Sequence, residues 1–140
     1  MKVFYEVVDM IEEELNAHPF VNTVTYGNIF DVDLNKTTLF PLSHFIVNNA
    51  TYQGNIWVLN ISLLCMGITE GGDNEHYVLN EQMSVINKLF EKLRRGDLHD
   101  IPYKLDGNPI SIPFKERFEN DLIGWETTFN VQVANYMSNE

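Results

Sequence analysis

Between Ile56 and Met66 the chain places Trp57, Leu59, Ile61, Leu63 and Cys65 at every second position. Asn60 and Ser62 lie between them, with Val58 and Leu64 toward the ends. A spacing of two matches the pleat of a β-strand, whose successive side chains point to opposite faces, and it fits no helical stripe. So apolar a strand belongs in the middle of a sheet with one face packed. The run is far shorter than the ~20 apolar residues that cross a bilayer, and no stretch of the sequence approaches that length.

The residues on either side extend the sheet. His44–Tyr52 precedes the central run and is joined to it through Gln53-Gly54-Asn55, a short Gly-containing loop of the kind that closes a β-hairpin. Strict alternation in this partner strand sets His44, Ile46, Asn48 and Ala50 on one face and Phe45, Val47, Asn49 and Thr51 on the other. Near the end of the chain Trp125, Thr127, Phe129, Val131 and Val133 alternate with Glu126, Thr128, Asn130 and Gln132. That pattern predicts a strand with one packed and one wet face. Pro109–Arg117 predicts its hairpin partner, and Pro113 inside it argues for an edge or a bulge. Val21–Asn28, rich in Val, Thr and Tyr, predicts a further short strand.

Two segments switch to helical spacing. Phe4, Val7, Val8, Ile11 and Leu15 predict an amphipathic helix over Val3–Asn16, ended by His18-Pro19. Leu79, Met83, Ile86, Leu89, Phe90 and Leu93 predict a second, over Glu75–Arg95, with Asp73 or Asn74 as its cap and a left-handed Gly96 just past its end. Ile29–Leu42 has no regular period and reads as an extended connection, long enough to be expected to have a task of its own. Gly67–Glu75 reads as an acidic turn, and Asn135–Glu140 as a polar, frayed tail. The order is helix, strand, hairpin, helix, hairpin. It predicts a single α+β domain over 1–140: a two-layer sandwich, with a mainly antiparallel sheet of four to five strands and two helices on one face.

Composition narrows the function classes. With twenty acidic against nine basic residues the net charge is −11, which repels phosphate backbones and argues against gripping nucleic acid. Lys88, Lys92, Arg94 and Arg95 cluster at the end of the second helix, where cations complement the helix dipole. Cys65 is the sole cysteine, so neither an internal disulfide nor a Cys-based metal cluster can form, and it reads as a buried thiol of a protein folded in a reducing cytoplasm. The first residues turn acidic at Glu6 and Asp9 and do not form a secretory signal. His18, His44, His76 and His99 lack the close spacing of zinc ligands, and polar surface positions account for all four. The chain has no Gly-x-Ser-x-Gly and no phosphate loop of the Gly-x-x-x-x-Gly-Lys type. From Asp31 the ligand pattern of a calcium loop fails after Asn35. The expectation is therefore a protein without catalytic, metal or cofactor sites, working through contacts.

The order of elements resembles that of the tail-terminator and tail-completion proteins, which form rings in the neck of tailed bacteriophages. The matching pieces are the Phe4–Leu15 helix, the Phe45–Cys65 hairpin, the Leu79–Leu93 helix and the closing Gly124-Trp125-Glu126-Thr127-Thr128-Phe129-Asn130-Val131-Gln132-Val133. The likeness is one of pattern over nearly the whole chain and extends to the ring proteins of crAss-like phages. It implies a virion protein of the head–tail connector or tail-terminator position. Such a protein forms a homo-oligomeric ring, contacts other neck or tail proteins and lets DNA pass without binding it. On that reading Asp31, Asp33, Glu70 and Asp73 are candidates for the lumen or for contacts between adjacent subunits. Two other readings stay open: a small acidic monomeric module, inhibitor or immunity-type, that docks a basic partner, and an enzyme with a diffuse carboxylate site.

Overall fold

The computed structural model describes residues 3–29, 32–69, 74–117 and 121–135. The elements are helix α1 (Val3–Asn16), strand β1 (Thr23–Tyr26), strand β2 (Leu42–Tyr52), strand β3 (Ile56–Ile68), helix α2 (Glu75–Arg94), strand β4 (Tyr103–Arg117) and strand β5 (Leu122–Ala134). A 3-10 turn at Thr37–Leu39 interrupts the connection between β1 and β2. The strands form one sheet in the order β1-β2-β3-β5-β4. β3 is central, as its apolar run requires, and pairs antiparallel with both β2 and β5.

β4 pairs antiparallel with β5, but β1 runs parallel to β2, with Thr23 opposite Leu42 and Tyr26 opposite Phe45. A hairpin loop cannot join parallel neighbours, because the chain must return to the end from which it started. The long segment after β1 makes that return, which is why it has no regular period of its own.

Both helices lie on one face. Val7, Ile11 and Leu15 of α1, and Val85, Ile86, Leu89 and Leu93 of α2, pack on Phe45, Leu59, Ile61, Leu63, Cys65, Phe129, Val131 and Val133. These residues are buried as the two periodicities require, and their removal from water is the main force holding the layers together. In α2 the buried stripe is rotated slightly from expectation. Gln82 is buried and Met83 is 47% exposed, because the Gln82 amide reaches across to donate to the Phe20 carbonyl at 3.2 Å.

The opposite face carries a second, smaller core. Leu42, Leu64, Met66 and Leu122 are buried there beneath Ile29, Val32, Leu34 and Phe40 of the β1–β2 connection. The connection is thus folded onto its own sheet.

Three local details depart from the sequence pattern. A bulge between Val47 and Asn49 leaves Asn48 without an opposite number, so the faces of β2 exchange beyond it. Ala50 and Tyr52 therefore face the helices and Asn49 faces away, the reverse of strict alternation. Gly96 does not adopt a left-handed backbone; that conformation belongs to Leu98, at φ 63°. A Cβ on Gly96 would instead collide with the Tyr103 carbonyl, so the glycine allows the chain to pass close to the start of β4. Asn74 occupies the N-cap position of α2 without a side-chain capping hydrogen bond, and Asp73 lies outside the described residues.

Candidate interaction surface

Beyond the small core, a ladder of amides runs across the middle of the sheet face away from the helices. Asn48 Nδ2 donates to Asn60 Oδ1 at 2.9 Å and to Ser62 Oγ at 2.7 Å. Asn60 Nδ2 donates in turn to Asn130 Oδ1 at 2.9 Å. One step along, Gln132 Nε2 donates to Asp106 Oδ1 at 3.2 Å and carries the pattern to β4. Lateral bonds of this kind satisfy the polar groups within the sheet, so the face tolerates water and also remains ordered beneath a partner.

Beyond the ladder, β4 bounds the sheet and is its longest strand. Ile110 and Ile112 are opposite Thr128 and Glu126, on the face away from the helices, and are 69% and 60% exposed. Two large β-branched residues side by side on an outer strand form an apolar contact surface. Alternation alone assigns such a pair to the core. Ser111 takes the inward place instead, hydrogen-bonded to Thr127 through their hydroxyls at 2.7 Å. Register shifts on both sides, at Asp106/Ile110 and Lys115/Arg117, with Pro109 and Pro113, interrupt the outer edge. These features discourage indiscriminate strand pairing.

A groove of about 550 Å³ opens between α2 and β4, lined by Asn87, Phe90, Arg94, Lys104, Leu105, Gly107, Asn108 and Pro109. Phe90, Leu105 and Pro109 are the apolar members of the lining, and Phe90 makes an edge-on contact with Phe129, the ring centroids 5.0 Å apart. Arg94 and Lys104 have no ion-pair partner among the described residues.

No family model matches the sequence, and no curated protein matches it. The surface must therefore be read from its own chemistry.

Of the residues singled out from the sequence, Asp31, Glu70 and Asp73 lie outside the described residues. Asp33 is exposed in the β1–β2 connection, where it accepts the Asn35 backbone N–H at 3.2 Å and stands 3.9 Å from the Lys36 ammonium. Its charge is thus partly compensated locally. Among the described residues no three or more His, Cys, Asp or Glu side chains are grouped so as to hold a metal ion. No helix is long and apolar enough to cross a membrane.

The histidines do not all occupy surface positions, as expected from the sequence. His44 is 3% exposed. Its Nε2 donates to the Gly27 carbonyl at 2.6 Å, leaving Nδ1 to accept from the Thr25 hydroxyl at 2.6 Å. The ring thereby ties β1 to β2, and its burial holds its pKa below the ordinary imidazole value, against a smaller opposing effect of the Gly27 bond. In the sequence His44 shares its alternating face with Ile46, Asn48 and Ala50, and the bonds to Thr25 and Gly27 at β1 hold it internal. Cys65 is buried as expected, and burial pushes its thiol up to about 12.

Proposed function

We propose that this chain is a structural assembly protein, a ring-forming component of the head–tail connector or tail-terminator position of a bacteriophage virion, and not an enzyme. The supporting observation is the one-sided sheet. Its helices use one face, its outer strand presents Ile110 and Ile112, and its opposite face carries a hydrogen-bonded amide ladder. Such a body offers extended flanks to neighbours, and head-to-tail contacts between unlike flanks generate rings when the rotation closes. The likeness in element order supplies the place in the virion. The net charge of −11 suits a channel through which DNA passes without sticking. Within that reading Asp33, with Asp31, Glu70 and Asp73, is assigned to the lumen or to subunit contacts.

Native mass spectrometry and negative-stain imaging test this, on the chain alone and on the chain mixed with neighbouring virion proteins. Closed rings in either sample are expected. A chain that stays monomeric in both, and that binds a basic partner one to one, overturns the proposal in favour of the acidic binding module.

A further inference from the structure

Basic residues are unevenly placed. Lys88, Lys92, Arg94, Arg95, Lys104, Lys115 and Arg117 all fall in the second half of α2, just past its end or in β4, leaving only Lys2 and Lys36 elsewhere. Helix α1, by contrast, carries Glu6, Asp9, Glu12, Glu13 and Glu14 and no lysine or arginine. Glu14 is already engaged, 3.5 Å from the Lys92 ammonium. Glu6, Glu12 and Glu13 are exposed, and so are Phe4 and Tyr5 at the start of the helix, Tyr5 to 68%. α1 packs against β1, α2 and β5, whereas α2 packs against β3, β5 and β4. The acidic helix and the basic groove therefore occupy different flanks of the helical layer.

We propose that a second copy of this chain docks the acidic outer face of its α1 into the groove between α2 and β4. The fit is chemical on two counts. Carboxylates at Glu12 and Glu13 meet Arg94 and Lys104, which lack ion-pair partners among the described residues, and the exposed Tyr5, two turns from Glu12 on the same side of α1, meets Phe90, Leu105 and Pro109 of the groove. Glu91, beside the groove, accepts a hydrogen bond from Asn87 Nδ2 at 3.3 Å. The two surfaces are unlike, so the contact is heterologous. Every copy then has one acidic flank and one basic flank left to extend the assembly. This inference rests on the ring reading above and names the contact that would build it.

Charge reversal in pairs tests it, in whichever sample assembles. The double variants E12K/E13K and R94E/K104E each place like charges against each other, and each is expected to weaken assembly by at least about tenfold. All four positions are exposed or line the groove, and circular dichroism with thermal melting establishes that each variant is folded. Mixing the two double variants restores opposite charges at every contact when the two alternate, and the chain carrying all four changes restores them at every contact by itself. Both samples are expected to assemble, and the four-fold variant is expected not to co-assemble with wild type. If wild type assembles and the double variants assemble equally well, the contact is wrong and the ring reading survives. If wild type does not assemble in any sample, both fall.

Discussion

Substituting Gly124 by alanine tests the register between the two longest central strands. Gly124 is opposite Met66 in the β3–β5 ladder. A Cβ built there would lie 2.7 Å from Met66 Cα and 2.9 Å from the Cys65 carbonyl carbon, and it would overlap the Cys65 carbonyl oxygen. All three atoms are backbone, and β3 is held on its far side by β2, so it cannot move away by itself. The strands must part locally by roughly an ångström. Two weakened ladder bonds at about 1 kcal/mol each, with an overpacking cost of about 1–3 kcal/mol, make about 3–5 kcal/mol. The reduced freedom of the unfolded chain returns about 0.4–1 kcal/mol. The net loss is about 2–4 kcal/mol, or a fall in Tm of roughly 6–15 °C for a chain of this size. Urea unfolding should show the midpoint falling with an unchanged slope. Thr128→Ala, exposed on the same strand, should stay within about 0.5–1 kcal/mol of wild type. A Gly124→Ala protein as stable as wild type, or more so, would refute the close approach and with it the register.

Two predictions concern titratable side chains in the cores. His44 has its folded pKa below the unfolded value of about 6.5, so the unfolded chain binds the proton more readily between those two values. Stability should therefore be flat with respect to this group above about pH 6.5. It should fall as the pH drops through the window, by up to about 1.4 kcal/mol per pH unit. Denaturation at stepped pH should show a shallower slope in a His44→Gln variant, with a residual contribution from His18, which burial shifts the same way; an unaltered slope would contradict the buried, neutral ring. Cys65, fully buried with a thiol pKa of about 12, should resist a thiol-reactive disulfide reagent at pH 8 in native buffer and react fully in denaturant. Rapid stoichiometric labelling of the native protein would show that β3 is not where the sheet places it.

Much of this architecture was legible in local spacing. The alternation of Leu59, Ile61, Leu63 and Cys65, and of Phe129, Val131 and Val133, identifies the packed faces of β3 and β5 because a strand repeats every two residues whatever surrounds it. Val7, Ile11 and Leu15 do the same for α1. The contact surface was much less legible. Ile110 and Ile112 look like core residues by the same rule, and they point outward because Ser111 takes the inward position against Thr127.

The sequence by itself determined which segments are helical or extended and which side of β3, β5 and α1 is apolar, since those properties depend on residues a few places apart. Tertiary structure alone decided the parallel pairing of β1 with β2, the burial of His44 and the exchange of faces beyond Asn48. It also decided the folding of the β1–β2 connection onto Leu64 and Met66, and the meeting of Arg94 with Lys104 across a groove. Each of these depends on partners distant in the chain, and no local period encodes which distant segment will arrive.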